Sequence, residues 1–257
     1  MKQSIVRVAL SFFVLCLIPI TAHTATSPKW TDLARKVGTS EDVRAQAIKE
    51  LRNMKGLKGR LQKAIYTADR PLALDVISAL DLKDLIPELL LHVPADPDGF
   101  LTVAVNSMMT EKNQAEILAS YSASLEPKNL PKVSPGAVVA MLEPLGRLAI
   151  KLPRATLLGL KDHASPEVRS STLYYLRINS LRNHVNENLD LVTELLKAKE
   201  FQIRLQAVSV TAELLDQNKS VVLGLLARSS LKDLCAAEKA QQIKEACLSF
   251  LANGEKK

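Results

Sequence analysis

The chain has 257 residues and a formal charge of +7, with 47% hydrophobic, 24% charged and only 4% aromatic residues. This composition excludes a disordered or collagen-like chain. Nine glycines and few aromatics, beside abundant Leu, Ala, Glu and Lys, argue against the turns and aromatic strands of an all-β protein and for an all-α one.

In chain order, Lys2 and Arg7 flank the start of an uncharged apolar stretch over residues 8–20, which is followed by small residues. The pattern predicts a cleaved secretory signal peptide over residues 1–22, cut before His23 or as late as after Ala25. The apolar run is shorter than the roughly 18 residues that span a bilayer, so no stable transmembrane anchor is expected after processing. Leu15, ahead of Cys16, is not the small residue a lipidation signal needs. The mature chain is then periplasmic or, alternatively, secreted. Losing the signal leaves 32 Lys+Arg against 27 Asp+Glu. These charges read as spread along the chain, with no concentrated footprint for nucleic acid or anionic lipid.

Seven short amphipathic helices are predicted next, at 28–37, 57–68, 82–92, 112–124, 153–162, 188–199 and 220–227. Each precedes a copy of one nine-residue phrase. The copies are VRAQAIKEL from Val43, LALDVISAL from Leu72, FLTVAVNSM from Phe100 and AVVAMLEPL from Ala137. VRSSTLYYL from Val168, IRLQAVSVT from Ile203 and IKEACLSFL from Ile243 complete the series, with starts about 33 residues apart. Stops fall between helices at Gly38-Thr39-Ser40, Asp96-Pro97-Asp98-Gly99 and Ser165-Pro166, where proline starts a helix and Ser, Thr or Asp caps one. Each unit is therefore a helical hairpin.

Reading the copies as columns tests the register, because a helix buries positions four and five apart on one side. The fifth column is Ala47, Val76, Ala104, Met141, Thr172, Ala207 and Cys247. The sixth is wholly aliphatic: Ile48, Ile77, Val105, Leu142, Leu173, Val208 and Leu248. The ninth is Leu51, Leu80, Met108, Leu145, Leu176, Thr211 and Leu251. The seventh, Lys49, Ser78, Asn106, Glu143, Tyr174, Ser209 and Ser249, contains no aliphatic residue. It marks a polar lane.

In these residues the chain resembles the HEAT-repeat family of α-solenoids. The likeness lies in Leu85-Ile86-Pro87-Glu88-Leu89 in a first helix and in Val43-Arg44, Val168-Arg169 and Ile203-Arg204 opening second helices. It implies a right-handed superhelical array of about seven hairpins over residues 26–257, with second helices lining a concave face. The chain departs from the family pattern where Ala73, Leu101 and Val138 replace the basic residue, which interrupts a continuous Asp–Arg ladder. The proline-bearing stretch 125–135 breaks the spacing and reads as a bend between sub-arrays or a recognition loop.

No H-E-x-x-H, G-x-S-x-G, phosphate loop or haem-attachment motif occurs, and no histidine begins a His-Glu pair of the kind HEAT-like hydroxylases use. No cofactor or metal is expected, and His92 and His163 read as capping or solvated groups near helix ends. The leading expectation is a non-enzymatic scaffold or adaptor holding a protein or peptide partner, with no nucleic acid bound. The alternative is an exported enzyme or accessory factor acting on an envelope polymer or cofactor. Partner-binding candidates are Lys49, Asn106, Glu143 and Tyr174 of the polar lane, with Arg44, Arg169 and Arg204 from the second column. Tyr174 and Tyr175 either anchor a peptide or pack between repeats. The arginines either grip an acidic partner or serve the structure. Cys235 and Cys247 form a disulfide only if a turn near Ala236-Ala237-Glu238 separates them, since twelve residues of one helix would span about 18 Å; otherwise Cys247 is a core residue and Cys235 a free thiol.

Overall fold

The computed structural model describes residues 29–183, 188–217 and 221–254, and the expected signal peptide lies outside them. Every regular element among the described residues is helical. The first pair is α1 (Lys29–Val37) and α2 (Glu41–Arg52), the second α3 (Leu57–Ala64) and α4 (Arg70–Ala79), the third α5 (Ile86–His92) and α6 (Phe100–Ser107). Next come α7 (Gln114–Ser124) with α8 (Pro135–Arg147), and α9 (Arg154–Lys161) with α10 (Pro166–Asn183). The last two pairs are α11 (Leu189–Glu194) with α12 (Phe201–Gln217), and α13 (Val221–Ala237) with α14 (Gln241–Gly254). No helix among the described residues is long and apolar enough to cross a membrane.

The columns explain the packing. Every fifth-column residue is buried, and the helices that carry them stack in sequence, α4 on α6, α6 on α8, α8 on α10, α10 on α12 and α12 on α14. The sixth column is buried from Ile77 through Val208, where each helix has a neighbour on both sides. At the end of the described series the column opens: Leu248 on α14 is 50% exposed, with no further helix over it among the described residues. Burying one large aliphatic side chain contributes about 1.5 to 3 kcal/mol, so the column is a major source of stability.

The first pair departs from the expected order. It is α1, with Trp30, Ala34 and Val37 buried at helical spacing, that packs on α4, while α2 packs on α1 and buries only Ala47 and Leu51 fully. α2 is thus an outer layer, polar around most of its circumference. α13 also departs, running ten residues past the predicted stop at Ala227, because Ala227, Leu231 and Cys235 continue one buried stripe with no Gly or Pro between them.

Polar rungs with a recurring offset tie each pair to the next. Along α3, Lys58 bonds Asp84, Gln62 Nε2 donates to Glu88 Oε2 at 2.5 Å, and the Tyr66 hydroxyl meets His92 Nε2 at 2.6 Å. Along the stacked series, Ser78 bonds Ser107 at 2.6 Å, Ser170 donates to Gln206 Oε1 at 2.7 Å, and Arg177 forks onto Glu213 at 2.5 and 3.1 Å. The nearly buried Lys161 reaches Glu194 at 2.8 Å; burial opposes its ammonium, but bonds to Asp162 and Glu194 outweigh that and raise its pKa. Asp96, buried, pairs with Arg70 and caps α6 by accepting from the N–H groups of Leu101 (2.8 Å) and Thr102 (3.2 Å).

The stretch 125–135 is packed against its neighbours. Leu130 and Val133 are buried, the Ser134 N–H donates to Pro94 O at 2.9 Å, and Asn129 Nδ2 donates to Ala123 O at 2.8 Å. The chain crosses the preceding loop so closely here that a Cβ on Gly136 would lie 2.6 Å from Pro97 O, and Gly99 takes a φ of +77° to admit it. α8 packs on α6 across this stretch.

Candidate functional site

The second column is occupied by structure. Arg169 donates from Nη1 to His163 O and Ala164 O in the loop between α9 and α10, and pairs through Nη2 with Glu200 at 2.6 Å. Arg204 repeats the arrangement one pair later, bonding Ala198 O (3.0 Å), Lys199 O (2.7 Å) and Glu238 (2.7 and 3.2 Å). Both guanidiniums are mostly covered, so they join hairpins and are not offered to an acidic partner. Each of these glutamates lies just before the second helix of its own pair, Glu200 before α12 and Glu238 before α14. His163 serves as a cap, its Nδ1 accepting the Ser165 N–H at 3.0 Å, with its pKa lowered first by burial and then by Arg169.

These rungs have a pH signature. Arg204 chiefly, and then the Ala240 N–H, hold the Glu238 carboxyl below its ordinary range; at Glu200 its own backbone N–H and then Arg169 do the same. A depressed folded pKa adds stability that is fully present above the unfolded value of about 4.3 and is lost as pH falls through the folded value. The melting temperature is therefore expected to hold from neutral pH to about 5 and to fall below that. Glu238→Gln should lower the plateau and flatten the acid limb; acid limbs of equal slope would contradict the assignment.

Asn106 is also committed internally. Its Oδ1 accepts from the buried Tyr121 hydroxyl at 2.9 Å and its Nδ2 donates to Ala140 O at 3.0 Å, so it is a spacer between α6, α7 and α8. Arg44 and Lys49 are exposed, but they sit on α2, outside the stacked series, and do not continue the lane.

The lane becomes a groove over α8, α10 and α12. It has a volume of about 670 Å³, an apolar floor of Val139, Leu142, Leu173, Leu205 and Val210, and a polar rim that includes Glu143, Tyr174 and Ser209. Three seventh-column residues thus converge as the sequence placed them. Tyr174 is 44% exposed, whereas its neighbour Tyr175 is buried, donating to Ile150 O at 2.7 Å and accepting the Leu152 N–H at 2.9 Å. Burial pushes the Tyr175 hydroxyl up to about 12. The two alternatives for the tyrosines therefore divide between them.

The rim also holds Ser170, Gln206, Arg177 and Glu213, which the sequence reading passed over. Ser170 lies four residues before Tyr174 and Arg177 three residues after it, on the same helical face. The nine-residue phrase stopped one position short of Arg177, so the signal was present but outside the window. Glu143 is held by Arg147 Nε at 3.1 Å, and the Arg177–Glu213 fork keeps its guanidinium protonated, Glu213 outweighing burial. The rim thus combines fixed charges with amide and hydroxyl groups, above an aliphatic floor.

Cys235 and Cys247 are joined in a disulfide, with α13 ending at Ala237 and α14 starting at Gln241, so the turn lies between them. Among the described residues no group of three His, Cys, Asp or Glu side chains converges to hold a metal ion. No family model, curated protein or solved structure matches this chain.

Proposed function

We propose that the chain is an exported HEAT-like α-solenoid whose hairpins wind into a right-handed superhelix, and that it acts as a periplasmic scaffold or adaptor holding a protein partner. The observation that carries this reading is the groove over α8, α10 and α12, of about 670 Å³, lined by both aliphatic and polar side chains. An extended segment would lay alternate side chains on the partly exposed Val139 and Leu205 while its backbone meets the amide of Gln206 and the hydroxyls of Ser171 and Tyr174. Tyr174 is the natural anchor, since a half-exposed tyrosine offers ring area and a hydroxyl at little entropic cost.

Selection of peptides from a random library on the immobilised chain tests this. Selected peptides should lose at least about tenfold in affinity against a Tyr174→Ala, Arg177→Glu variant. They should bind a Leu91→Ala variant, changed on the exposed face of α5, as they bind the parent. Peptides that bind all three chains alike would remove the groove from the proposal.

A further inference from the structure

The cations read above as evenly spread are not. Residues 29–70 hold 11 Lys+Arg against five Asp+Glu, a net +6, whereas residues 71–257 hold 21 against 22, a net −1. The first two hairpins thus carry all the net positive charge downstream of the apolar N-terminal segment. Arg35, Lys36, Arg44, Lys49, Arg52, Lys55, Lys58, Arg60 and Lys63 are all exposed.

The packing gathers part of this charge on one flank. α3 turns Leu57, Leu61 and Ala64 into the core, and Lys58, Gln62 and Tyr66 toward α5, where they meet Asp84, Glu88 and His92. At 100° per residue this leaves Arg60 and Lys63 on the flank turned away from α5. Arg60 Nη1 lies 4.0 Å from Met54 Sδ, which brings it beside the α2–α3 turn that holds Arg52 and Lys55. Among the described residues no acidic side chain pairs with Arg52, Lys55, Arg60 or Lys63, while the nearby Glu50 is engaged by Gln46 at 2.8 Å.

We infer that these two hairpins form an electrostatic docking face for an anionic lipid bilayer. Three observations select a bilayer over other polyanions. The cations stand on long side chains over outward helix surfaces, which suits a diffuse, planar field of charge more than a discrete anion. No exposed aromatic stands beside these cations, since Trp30 is buried and Tyr66 faces His92 on the other side of α3, so the face offers no platform for base stacking. The hairpins are the first folded part of the chain after residues 8–20, which read as a signal for passage through a membrane, so on that reading they are the first to emerge beside its lipid. The face lies at the far end of the chain from α13 and α14 and does not include the groove, so a docked molecule keeps the groove free.

Sedimentation with phosphatidylcholine vesicles, with and without phosphatidylglycerol, tests the inference on the full chain recovered from its host envelope. Binding should require phosphatidylglycerol and be abolished by high salt. Each cation near an anionic surface multiplies binding about fivefold, so the triple variant Lys55→Glu, Arg60→Glu, Lys63→Glu should bind at least about a hundredfold more weakly. The triple Lys55→Gln, Arg60→Gln, Lys63→Gln, which changes the charge half as much, should still bind about a hundredfold more weakly. A control triple of equal charge change at the other end, Lys232→Glu, Lys239→Glu, Lys244→Glu, should bind within about twofold of the parent. Equal binding to both vesicle types, or equal loss in the two charge-reversed triples, would overturn the inference. Binding to duplex DNA without binding to either vesicle would overturn it as well.

Discussion

Leu173→Asp is expected to destabilise the protein by about 4 kcal/mol or more and to lower its melting temperature by roughly 10 °C. Leu173 is 1% exposed and sits on α10, with α8 on one side and α12 on the other. The substitution removes a full aliphatic burial and places a carboxylate among the aliphatic side chains between α8 and α12. The same change at Leu248, the sixth-column residue left half exposed on α14, should cost under about 1 kcal/mol. The contrast isolates position in the stack, because residue type and column are identical. Similar losses at the two sites would mean that the columns do not describe the packing.

The second large effect belongs to the Cys235–Cys247 bridge, which closes a loop of twelve residues between α13 and α14. Loop-closure entropy assigns such a bridge about 3 kcal/mol. α14 packs chiefly on α12 and α13, so the loss on reduction should be local. Hydrogen exchange should accelerate over α13 and α14 on reduction, or in a Cys235→Ala, Cys247→Ala variant, with α4 to α10 unchanged. In denaturant, two thiols should appear in the mature chain only after reductant is added. Unchanged exchange at the C-terminal pair would show that packing alone holds it.

The helical pairs were legible because each stacked helix buries the same positions of one phrase, so the fifth column separates from the seventh without reference to any structure. What the columns could not show is where the stack ends. Leu248 reads like Leu173 in sequence, and it is exposed because no described helix stacks beyond α14. The first pair failed for a related reason. The phrase from Val43 matches the others, yet Trp30, Ala34 and Val37 present the larger apolar face, and α1 rather than α2 takes the place on α4.

The candidate site was half legible. Glu143, Tyr174 and Ser209 converge because they share a column, while Arg177 and Glu213 escaped by lying just beyond the phrase. The sequence leaves Arg169 and Arg204 open between a partner and the structure, because a one-dimensional row of arginines carries no record of Glu200 and Glu238, which arrive from the following pair. The basic face was missed for the opposite reason: net charge was summed over the whole chain, where the surplus of residues 29–70 is diluted by an almost neutral remainder.

The measurement closest to the central claim is site-specific photo-crosslinking in living cells, with a photoreactive side chain placed in turn at Tyr174, Gln206 and Ser209 and, outside the groove, at Leu91 and Leu158. A scaffold that holds a segment in the groove should give one adduct of the same mass from all three groove positions and none from the two outer ones. Adducts that form equally from both sets, or only from Leu91 and Leu158, would contradict it.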